Sequence, residues 1–452
     1  MSLRNGRCDD PSCPWKKPSL AFFHLSNTRK LRGFAGLPIA ASCGGRLFPQ
    51  SASCGGGSAP GWLCLVGLLA GLSMLSGADR LAAESVEVLD TRVISPADRY
   101  CGWPTIGQTA SGELLVVCSG GRESHVCPFG RVELLRSTDG GQHWTWPRVL
   151  HDGPIDDRDA GICVTSQGTI LVTTFTSLAY EPILKKGLAA DSGWPAGRLE
   201  SWQRVHARLP DAARETELGC WMLRSEDGGR QFSAAYRVPL NSPHGPVALA
   251  DGSLLYAGVA LWTADRRVGV CQSRDDGKTW EWLAEIPVRA GDNAKDYHEL
   301  HAVETADGRL LVQIRNHNQA NRHETLQCES RDGGRTWTEP HSIGVWGYPS
   351  HLLRLRDGRL LMSYGHRRKP LGVQARISTD NGETWGEPLV ITADGHSGDL
   401  GYPATVETAP GVFVTVWYEK LKESDAARLR QARWRLADGP PRTNGELERV
   451  SR

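Results

Sequence analysis

Ser137-Thr-Asp-Gly-Gly-Gln-His-Trp144 decides the fold of this chain, because its pattern returns four more times. The other copies are SEDGGRQF at 225–232, SRDDGKTW at 273–280, SRDGGRTW at 330–337 and STDNGETW at 378–385. All five copies fit S-x-D-x-G-x-x-W/F, with four constrained positions. Such recurrence is far beyond chance and indicates a protein built from structural repeats.

Each copy also suits a tight turn between two strands. The Asp carboxylate can accept backbone N–H groups, and a Gly can adopt a positive φ at no steric cost. The closing aromatic ring can pack beneath the turn. Apolar or alternating residues precede the turn, as in 132–136, and this pattern is typical of a strand. We therefore interpret the copies as scaffold, lying in outer hairpins.

The repeat is identified as the Asp box, or BNR repeat, and the chain resembles the sialidase-like six-bladed β-propellers over roughly Ser85 to Lys420. The resemblance implies an all-β fold with Asp-box hairpins. Six segments agree with it, since each has a short apolar strand, a Gly-containing turn and a stronger strand. The segments lie at 103–117, 160–172, 245–256, 300–312, 351–362 and 404–415. Residues between Thr176 and Trp221 form an insertion, with a helix predicted near Arg198–Leu209 that ends at Pro210.

Composition limits the classes of function. The 452 residues carry a formal net charge of +1, which argues against a nucleic-acid-binding protein. The 51 Gly fit a turn-rich all-β chain, and some of the 16 Trp exceed what the repeats require. The 12 Cys form no C-x-x-C clusters, so we predict no zinc site, and no cofactor is implied.

The two ends of the chain differ from the repeat region. Residues 1–60 have no periodicity and are predicted to be disordered or a mis-assigned start. Residues 61–84 contain an apolar run typical of a signal peptide, followed by small residues. We expect a propeller at 85–435, a tail at 436–452, and a secreted or periplasmic protein without a stable membrane span. The alternative is an N-terminal membrane anchor.

Polar residues at the starts of the innermost strands should meet at one pocket near the propeller axis. Such a density of His, Arg, Tyr and acids is more than a scaffold needs, because buried charges are costly unless paired. We predict Tyr402, Glu299 and Asp159 as catalytic residues. The predicted substrate-binding residues are Arg315, Arg368, Arg122, Arg158, His244 and His298, with Arg367 as the rival of Arg368.

The resemblance implies particular roles. Family members hold the carboxylate of sialic acid with three arginines, attack with a Tyr whose proton passes to a Glu, and use an Asp as general acid. The segment from Glu299 to Arg315 is similar to the family's Glu-to-second-arginine segment, and Tyr402 lies in a segment that looks like the nucleophile segment. Trp103, however, stands where the first arginine would be.

The general acid has several candidates, because the family's acid Asp lies in a loop that here contains no Asp. The loop spans 122–130 and offers Glu123 or His125, while Asp157 or Asp159 could reach across from the next blade. Three functions stay open at this point. They are a sialidase-like exo-glycosidase acting on a glycan with sialic acid or another acidic sugar, a glycan hydrolase or lyase using His244, His298, His301 and Asp159, and a carbohydrate-binding propeller without catalysis.

Overall fold

Antiparallel sheets make up most of the described chain. The computed structural model describes residues 85–422, 424 and 426–437. They form six sheets of four strands each. The predicted all-β, six-bladed propeller is therefore confirmed, with each sheet as one blade.

The strands follow one another blade by blade. The first strand, β1, spans Ser85–Val93. Blade one contains β2 (Tyr100–Gln108), β3 (Leu114–Arg122), β4 (Arg131–Ser137) and β5 (Arg148–His151). Blade two contains β6 (Asp156–Val164), β7 (Ile170–Ser177), β8 (Cys220–Ser225) and β9 (Tyr236–Arg237). Blade three contains β10 (Val247–Ala248), β11 (Leu254–Val259), β12 (Val268–Ser273) and β13 (Glu281–Glu285).

The remaining blades have the same layout. Blade four contains β14 (Tyr297–Glu304), β15 (Leu310–Asn316), β16 (Glu324–Ser330) and β17 (His341–Trp346). Blade five contains β18 (Ser350–Arg354), β19 (Leu360–His366), β20 (Leu371–Ser378) and β21 (Leu389–Gly395). Blade six contains β22 (Leu400–Ala409), β23 (Val412–Lys420) and β24 (Ala427–Ala437).

The first strand closes the ring. β1 pairs antiparallel with β24, from Ser85 opposite Ala437 to Val93 opposite Arg430, and so supplies the outermost strand of blade six. The innermost strand of that blade, β22, contacts β2 of blade one. The two ends of the propeller are therefore held by backbone hydrogen bonds within one sheet. The sequence repeats do not predict that β1 belongs to blade six, because β1 carries no copy of the pattern.

The core lies between neighbouring blades. Leu114 and Val116 of β3 are buried in a cluster with Val414 of blade six. Their neighbours Leu115 and Val117 are buried in a different cluster, against Val172 of blade two. Successive side chains of a strand point to opposite faces, so a continuous apolar run is what a strand between two blades requires.

The five repeat turns share one hydrogen-bond pattern. In the first, Ser137 Oγ donates to Asp139 Oδ1 at 2.8 Å and accepts from the amide of Gly141 at 2.9 Å. Asp139 Oδ1 also accepts from the amides of Gln142 and His143, each at 2.9 Å. The same Ser-to-Asp and Gly-to-Ser bonds recur in the turns that begin at residues 225, 273, 330 and 378. The pattern thus satisfies the polar groups of the turn locally.

The repeat turns also join blades. Gln327 of blade four donates to the carbonyl of Gly382 in the turn of blade five at 2.9 Å, and accepts from the Trp385 indole at 3.1 Å. Gln431 of blade six bonds in the same way to Gly141 and Trp144 of blade one. The turns therefore stabilise both their own hairpin and the seam to the preceding blade.

The insertion in blade two is helical. It contains α1 (Glu181–Gly187), α2 (Ala196–His206) and α3 (Asp211–Thr216). The helix predicted near Arg198–Leu209 corresponds to α2, while α1 and α3 were not predicted. α2 ends at His206, earlier than predicted, and Pro210 is the N-cap residue of α3. The buried Trp202 of α2 donates to Glu123 at 2.9 Å, which ties the insertion to the loop of blade one.

Other predictions concern features outside the sheets. The segments at 1–60, 61–84 and most of the tail at 436–452 lie outside the described residues, so the signal peptide and the domain limits stay predictions. All seven cysteines of the described ranges are buried and unbridged. Within those ranges, no helix combines the length and the apolar character that a bilayer crossing needs.

We predict that Asp139→Ala lowers the melting temperature by several degrees, because four hydrogen bonds to its carboxylate are lost at the blade-one turn. Circular dichroism at neutral pH measures the change. Asp191→Ala, at an exposed aspartate of the insertion, is the matched control and should melt as the parent does. Equal melting of both variants would contradict a stabilising role for the turn.

Candidate functional site

The innermost strands of four blades are bulged at the predicted site. The register shifts in β2 near Trp103, in β6 near Asp159, in β14 near Glu299 and in β22 near Tyr402. Trp103, Asp159 and Tyr402 also have positive φ values of 52°, 48° and 54°. Bulges re-aim side chains, and strained non-Gly residues concentrate at functional sites. The backbone is thus distorted where the predicted chemistry lies.

Tyr402 and Glu299 are in direct contact, although 103 residues separate them in the sequence. The phenol donates to Glu299 Oε1 at 2.5 Å. Arg315 Nη1 lies 3.0 Å from the same carboxylate oxygen and 3.0 Å from the phenol oxygen. The structure therefore brings together three of the residues that the sequence predicted, from blades four and six.

The electrostatics of this trio suit proton transfer from the phenol. Burial opposes ionisation of Glu299, but the charges of Arg315 and His298 and the hydrogen bond from Tyr402 together outweigh it and lower the pKa of Glu299 to about 2. Burial, together with the Glu299 charge, raises the pKa of Tyr402 well above its ordinary value. The carboxylate is thus ionised while the phenol keeps its proton. The carboxylate can take that proton when the phenol oxygen attacks an electrophile.

Asp159 is the protonatable acid of the site. Its side chain is buried, and its Oδ1 has no hydrogen-bond partner among the described residues. Burial raises its pKa to about 7, against the partly opposing charge of Arg158, and the charge of Glu299 adds to the rise. An acid with such a pKa carries a proton over much of the neutral range and can donate it.

Arg158 extends towards the site without a hydrogen bond from its guanidinium to any described residue. It overlies the Trp103 ring, with Cζ 4.6 Å from the centroid. Its one ion pair is a loose contact of 3.6 Å to Asp156. The guanidinium therefore keeps donors available for a ligand, next to Asp159.

Arg122 has a different position from the one expected of a substrate-binding residue. It is fully buried and forms a bidentate pair with Asp156, at 2.7 and 3.0 Å. It also donates to Ser119 and to the carbonyls of Asp157 and His125. Its Cζ lies 5.0 Å from the Trp103 ring centroid. Its donors are thus taken by the protein, and it supports Trp103.

The two adjacent arginines of blade five contact different residues. Arg367 Nε donates to the carbonyl of Leu400, two residues before Tyr402, at 2.8 Å. Its guanidinium lies 5.1 Å from the Tyr348 ring, which Arg315 overlies at 4.6 Å. Arg368 is exposed and stacks on Trp346 at 4.0 Å. Arg367, the rival of Arg368 in the sequence analysis, is therefore the one beside Arg315. Arg368, contrary to the expectation, contacts Trp346 and bonds to none of the described residues around Tyr402.

Burial favours the neutral forms of His244 and His298, two histidines near the site. His244 contacts His301 and His351, with each pair of ring centroids 5.2 Å apart, in a buried cluster below Tyr402. Burial lowers the pKa of His244 to about 3, and both of its ring nitrogens lack a partner among the described residues. Burial likewise lowers the pKa of His298, beside Glu299. These rings can contribute hydrogen bonds but are poor proton donors.

His125, Asp399 and Tyr100 form a polar cluster beside Trp103. His125 Nδ1 lies 3.0 Å from Asp399 Oδ1 and 2.9 Å from the Tyr100 hydroxyl. Its ring packs edge-on against Trp103 at 5.0 Å, and about half of the side chain is exposed. The sequence offers His125 only as one candidate for the general acid, and nothing in the loop pattern signals its pairing with Asp399 of blade six.

Comparison with known proteins agrees with this architecture. Residues 194–415 match the family described as BNR repeat-like domain. A sialidase of Bacteroides fragilis (strain YCH46) is 25% identical over 281 residues, covering 56% of this chain and 48% of the relative. A sialidase of Micromonospora viridifaciens is 27% identical over 158 residues, covering 32% of this chain and 22% of the relative. Each relative is thus matched over less than half of its length.

Solved structures resemble the chain over most of its length. A protein of unknown function from Dyadobacter fermentans DSM 18053 superposes with a TM-score of 0.64 and 22% identity, covering 78% of this chain and 100% of that one. The Hadza microbial sialidase Hz136 superposes with a TM-score of 0.53 and 20% identity, covering 75% of this chain and 66% of that one. The K499G mutant of the NanB sialidase from Streptococcus pneumoniae superposes with a TM-score of 0.55 and 14% identity, covering 77% of this chain and 70% of that one. At these identities the likeness establishes the fold.

We predict that Asp159→Asn stabilises the protein more at pH 8 than at pH 4. The folded pKa of Asp159, about 7, exceeds the ordinary value of 3.8. The stability linked to this group is therefore fully present below pH 4 and is lost as the pH rises towards 7. Asn removes that dependence. Melting temperatures of variant and parent from pH 4 to 8 measure it, with exposed Asp191→Asn as the control. A constant difference across this range would contradict the prediction.

Proposed function

We propose that this chain, a six-bladed propeller with BNR-type repeats that resembles the sialidases, is an exo-glycosidase. Its substrate is a glycan that ends in sialic acid or another acidic sugar. The observation that carries the proposal is the contact of Tyr402, Glu299 and Arg315, with 2.5 Å between phenol and carboxylate. A scaffold has no need for such a largely buried trio, since charges out of water are costly unless they are fully paired.

The proposed reaction begins with attack by the Tyr402 oxygen on the anomeric carbon. Glu299 takes the phenol proton, and Asp159 gives its proton to the departing glycosidic oxygen. A neutral phenol suits an anionic sugar, because a carboxylate nucleophile would be repelled by the sugar's own charge. Water then attacks the anomeric carbon and gives a proton to Asp159, while the bond to Tyr402 breaks and Glu299 returns its proton to the phenol oxygen.

The anionic group of the sugar would be held by arginines of the site. Arg315 and Arg367 both border Tyr348, and charge-assisted pairs with a carboxylate are frequently bidentate. Trp103 stands where the family's first arginine would be, so one contact of roughly 1.5–3 kcal/mol is absent at that position. For this reason the proposal includes acidic sugars other than sialic acid. Arg158, His244 and His298 remain proposed as further contacts.

A second candidate is glycan hydrolysis or elimination with different acid–base chemistry. The pair of His125 and Asp399, 3.0 Å apart beside Trp103, favours it, because a carboxylate can orient an imidazole for proton transfer. In that case Tyr402 would not form a covalent bond to the sugar.

A secreted or periplasmic location, with an N-terminal anchor as the alternative, is also part of the proposal. It is based on the apolar run within residues 61–84.

We predict that Tyr402→Phe abolishes release of a fluorogenic sialoside, because the nucleophilic oxygen is removed and the ring is kept. Initial rates and the melting temperature are measured together. Tyr236→Phe in the outer strand β9 is the matched control, since it removes a hydroxyl bonded to Gly277 far from the site. Unchanged turnover by a folded Tyr402→Phe protein would remove the nucleophile assignment and leave the second candidate.

We also predict that Glu299→Gln lowers kcat by roughly 10²–10⁴-fold, because the amide cannot accept the phenol proton as a carboxylate does. The measurement uses sialosides with leaving groups of different pKa at saturating concentration. A change in KM alone, with kcat retained, would mean that Glu299 only positions Tyr402.

A further inference from the structure

A basic surface lies beside the candidate site on blades four and five. We call it the basic shelf and define it by Arg322, His323, Trp346, Arg367, Arg368 and Lys369. Within the described part of the chain, none of its three arginines or Lys369 has a carboxylate partner within ion-pair distance. Most other arginines of the propeller are paired, as Arg289 is with Asp292 at 2.8 Å. The shelf therefore concentrates uncompensated positive charge in a chain of net charge +1.

The basic shelf is continuous with the catalytic trio. Arg315, which contacts Tyr402, overlies the Tyr348 ring at 4.6 Å, and Arg367 lies over the same ring at 5.1 Å. Tyr348 in turn contacts the Trp346 ring at 5.8 Å. Arg368 stacks on Trp346 at 4.0 Å. A line of guanidinium groups and rings thus runs from the phenol to the exposed edge of blade five.

His323 lies at the centre of this charge. Burial lowers its pKa, and the charges of Arg322, Arg315, Arg368 and Arg367 lower it further. The nearest carboxylate on the adjoining strand is Glu324, whose backbone pairs with Trp346. Its Oε2 already accepts from Asn321 at 3.0 Å and from the Ser342 hydroxyl. Among the residues that the structure describes, Glu324 forms no ion pair with any member of the shelf, so its charge is not paired with the shelf's cations.

The stacked arginine distinguishes the shelf from an ordinary solvated surface. A guanidinium that lies flat on a Trp is held in one orientation, and its in-plane N–H donors stay free. Arg368 Cζ lies over the Trp346 ring, 4.0 Å from the centroid, and its guanidinium donates no hydrogen bond to any described residue. The ring of Trp346 is half-buried and offers an apolar face next to those donors. Planar anionic groups on a sugar ring match this combination of ring and fork.

We propose that the basic shelf binds an anionic group on the part of the substrate that leaves, so that the preferred substrate is an acidic sugar linked to a second acidic sugar. This inference rests on the proposed function and specifies its substrate class. The terminal acidic sugar would occupy the pocket of Arg315 and Arg367. The carboxylate of the next residue would reach Arg368 and Arg322 at the shelf.

The test compares two substrates with the parent and Arg368→Ala. One is an α-linked disaccharide of sialic acid, and the other is a sialoside with a neutral fluorogenic leaving group. We expect Arg368→Ala to lower kcat/KM for the disaccharide about tenfold and to leave that for the neutral sialoside unchanged. In the parent, added salt should lower kcat/KM more for the disaccharide than for the neutral sialoside. Arg230→Ala, at an exposed arginine of the blade-two turn, is the matched control and should change neither substrate.

Several outcomes would overturn the inference. An equal loss for both substrates would mean that Arg368 serves the pocket or the fold, and no loss for the disaccharide would mean that the shelf contacts nothing. If neither substrate is turned over, the proposed function fails, and calorimetric titration of the disaccharide then tests the shelf directly. Weaker binding by Arg368→Ala supports the shelf, and unchanged or absent binding refutes it. Equal competition by a DNA oligonucleotide of matched charge would also refute it.

Discussion

The pairing of β1 with β24 is the interaction on which the rest of the structure depends. It joins residues about 350 positions apart in one antiparallel ladder and makes blade six a mixed product of both ends of the propeller. A closed ring leaves no open seam between first and last blade. It also obliges six innermost strands to converge, and the polar residues at their starts therefore share one small volume. Without that closure, the separate blades that carry Tyr402 and Glu299 would have no reason to converge.

The ring and the site make opposite demands on the inner strands. Regular pairing would keep each strand straight, whereas the site needs side chains turned towards the axis. The structure resolves this by bulges in β2, β6, β14 and β22 and by positive φ at Trp103, Asp159 and Tyr402. Such residues cost of order 1–3 kcal/mol each and persist only where surrounding packing holds them. The apolar runs between blades and the repeat turns at the seams supply that support.

Charge balance organises the pocket around Tyr402. Arg315 keeps Glu299 ionised, while burial keeps Asp159 protonated up to about pH 7. Two carboxyl groups that act on each other electrostatically thus hold different protonation states. On the blade-one side, Arg122 pairs with Asp156, and the guanidiniums of Arg122 and Arg158 both lie against the Trp103 ring. On the blade-five side, the guanidiniums remain uncompensated, and the site opens towards positive potential there.

The sequence by itself determined the repeated turn, the number of blades and the residues of the trio. Periodic turn chemistry and alternating apolar runs are local properties, so they can be read without knowing what lies opposite. Glu299, Arg315 and Tyr402 could be named because their segments resemble those of a known family. The helix α2 was also predicted, since Pro210 and its flanking pattern are local signals.

Only the tertiary structure decided which polar groups are available. It buried Arg122 under Trp103, brought Arg367 rather than Arg368 to the side of Arg315, and paired His125 with Asp399 across 274 residues. It also assigned β1 to blade six. These outcomes depend on contacts between blades far apart in the chain, and no local pattern encodes whether a side chain meets a partner or the open pocket.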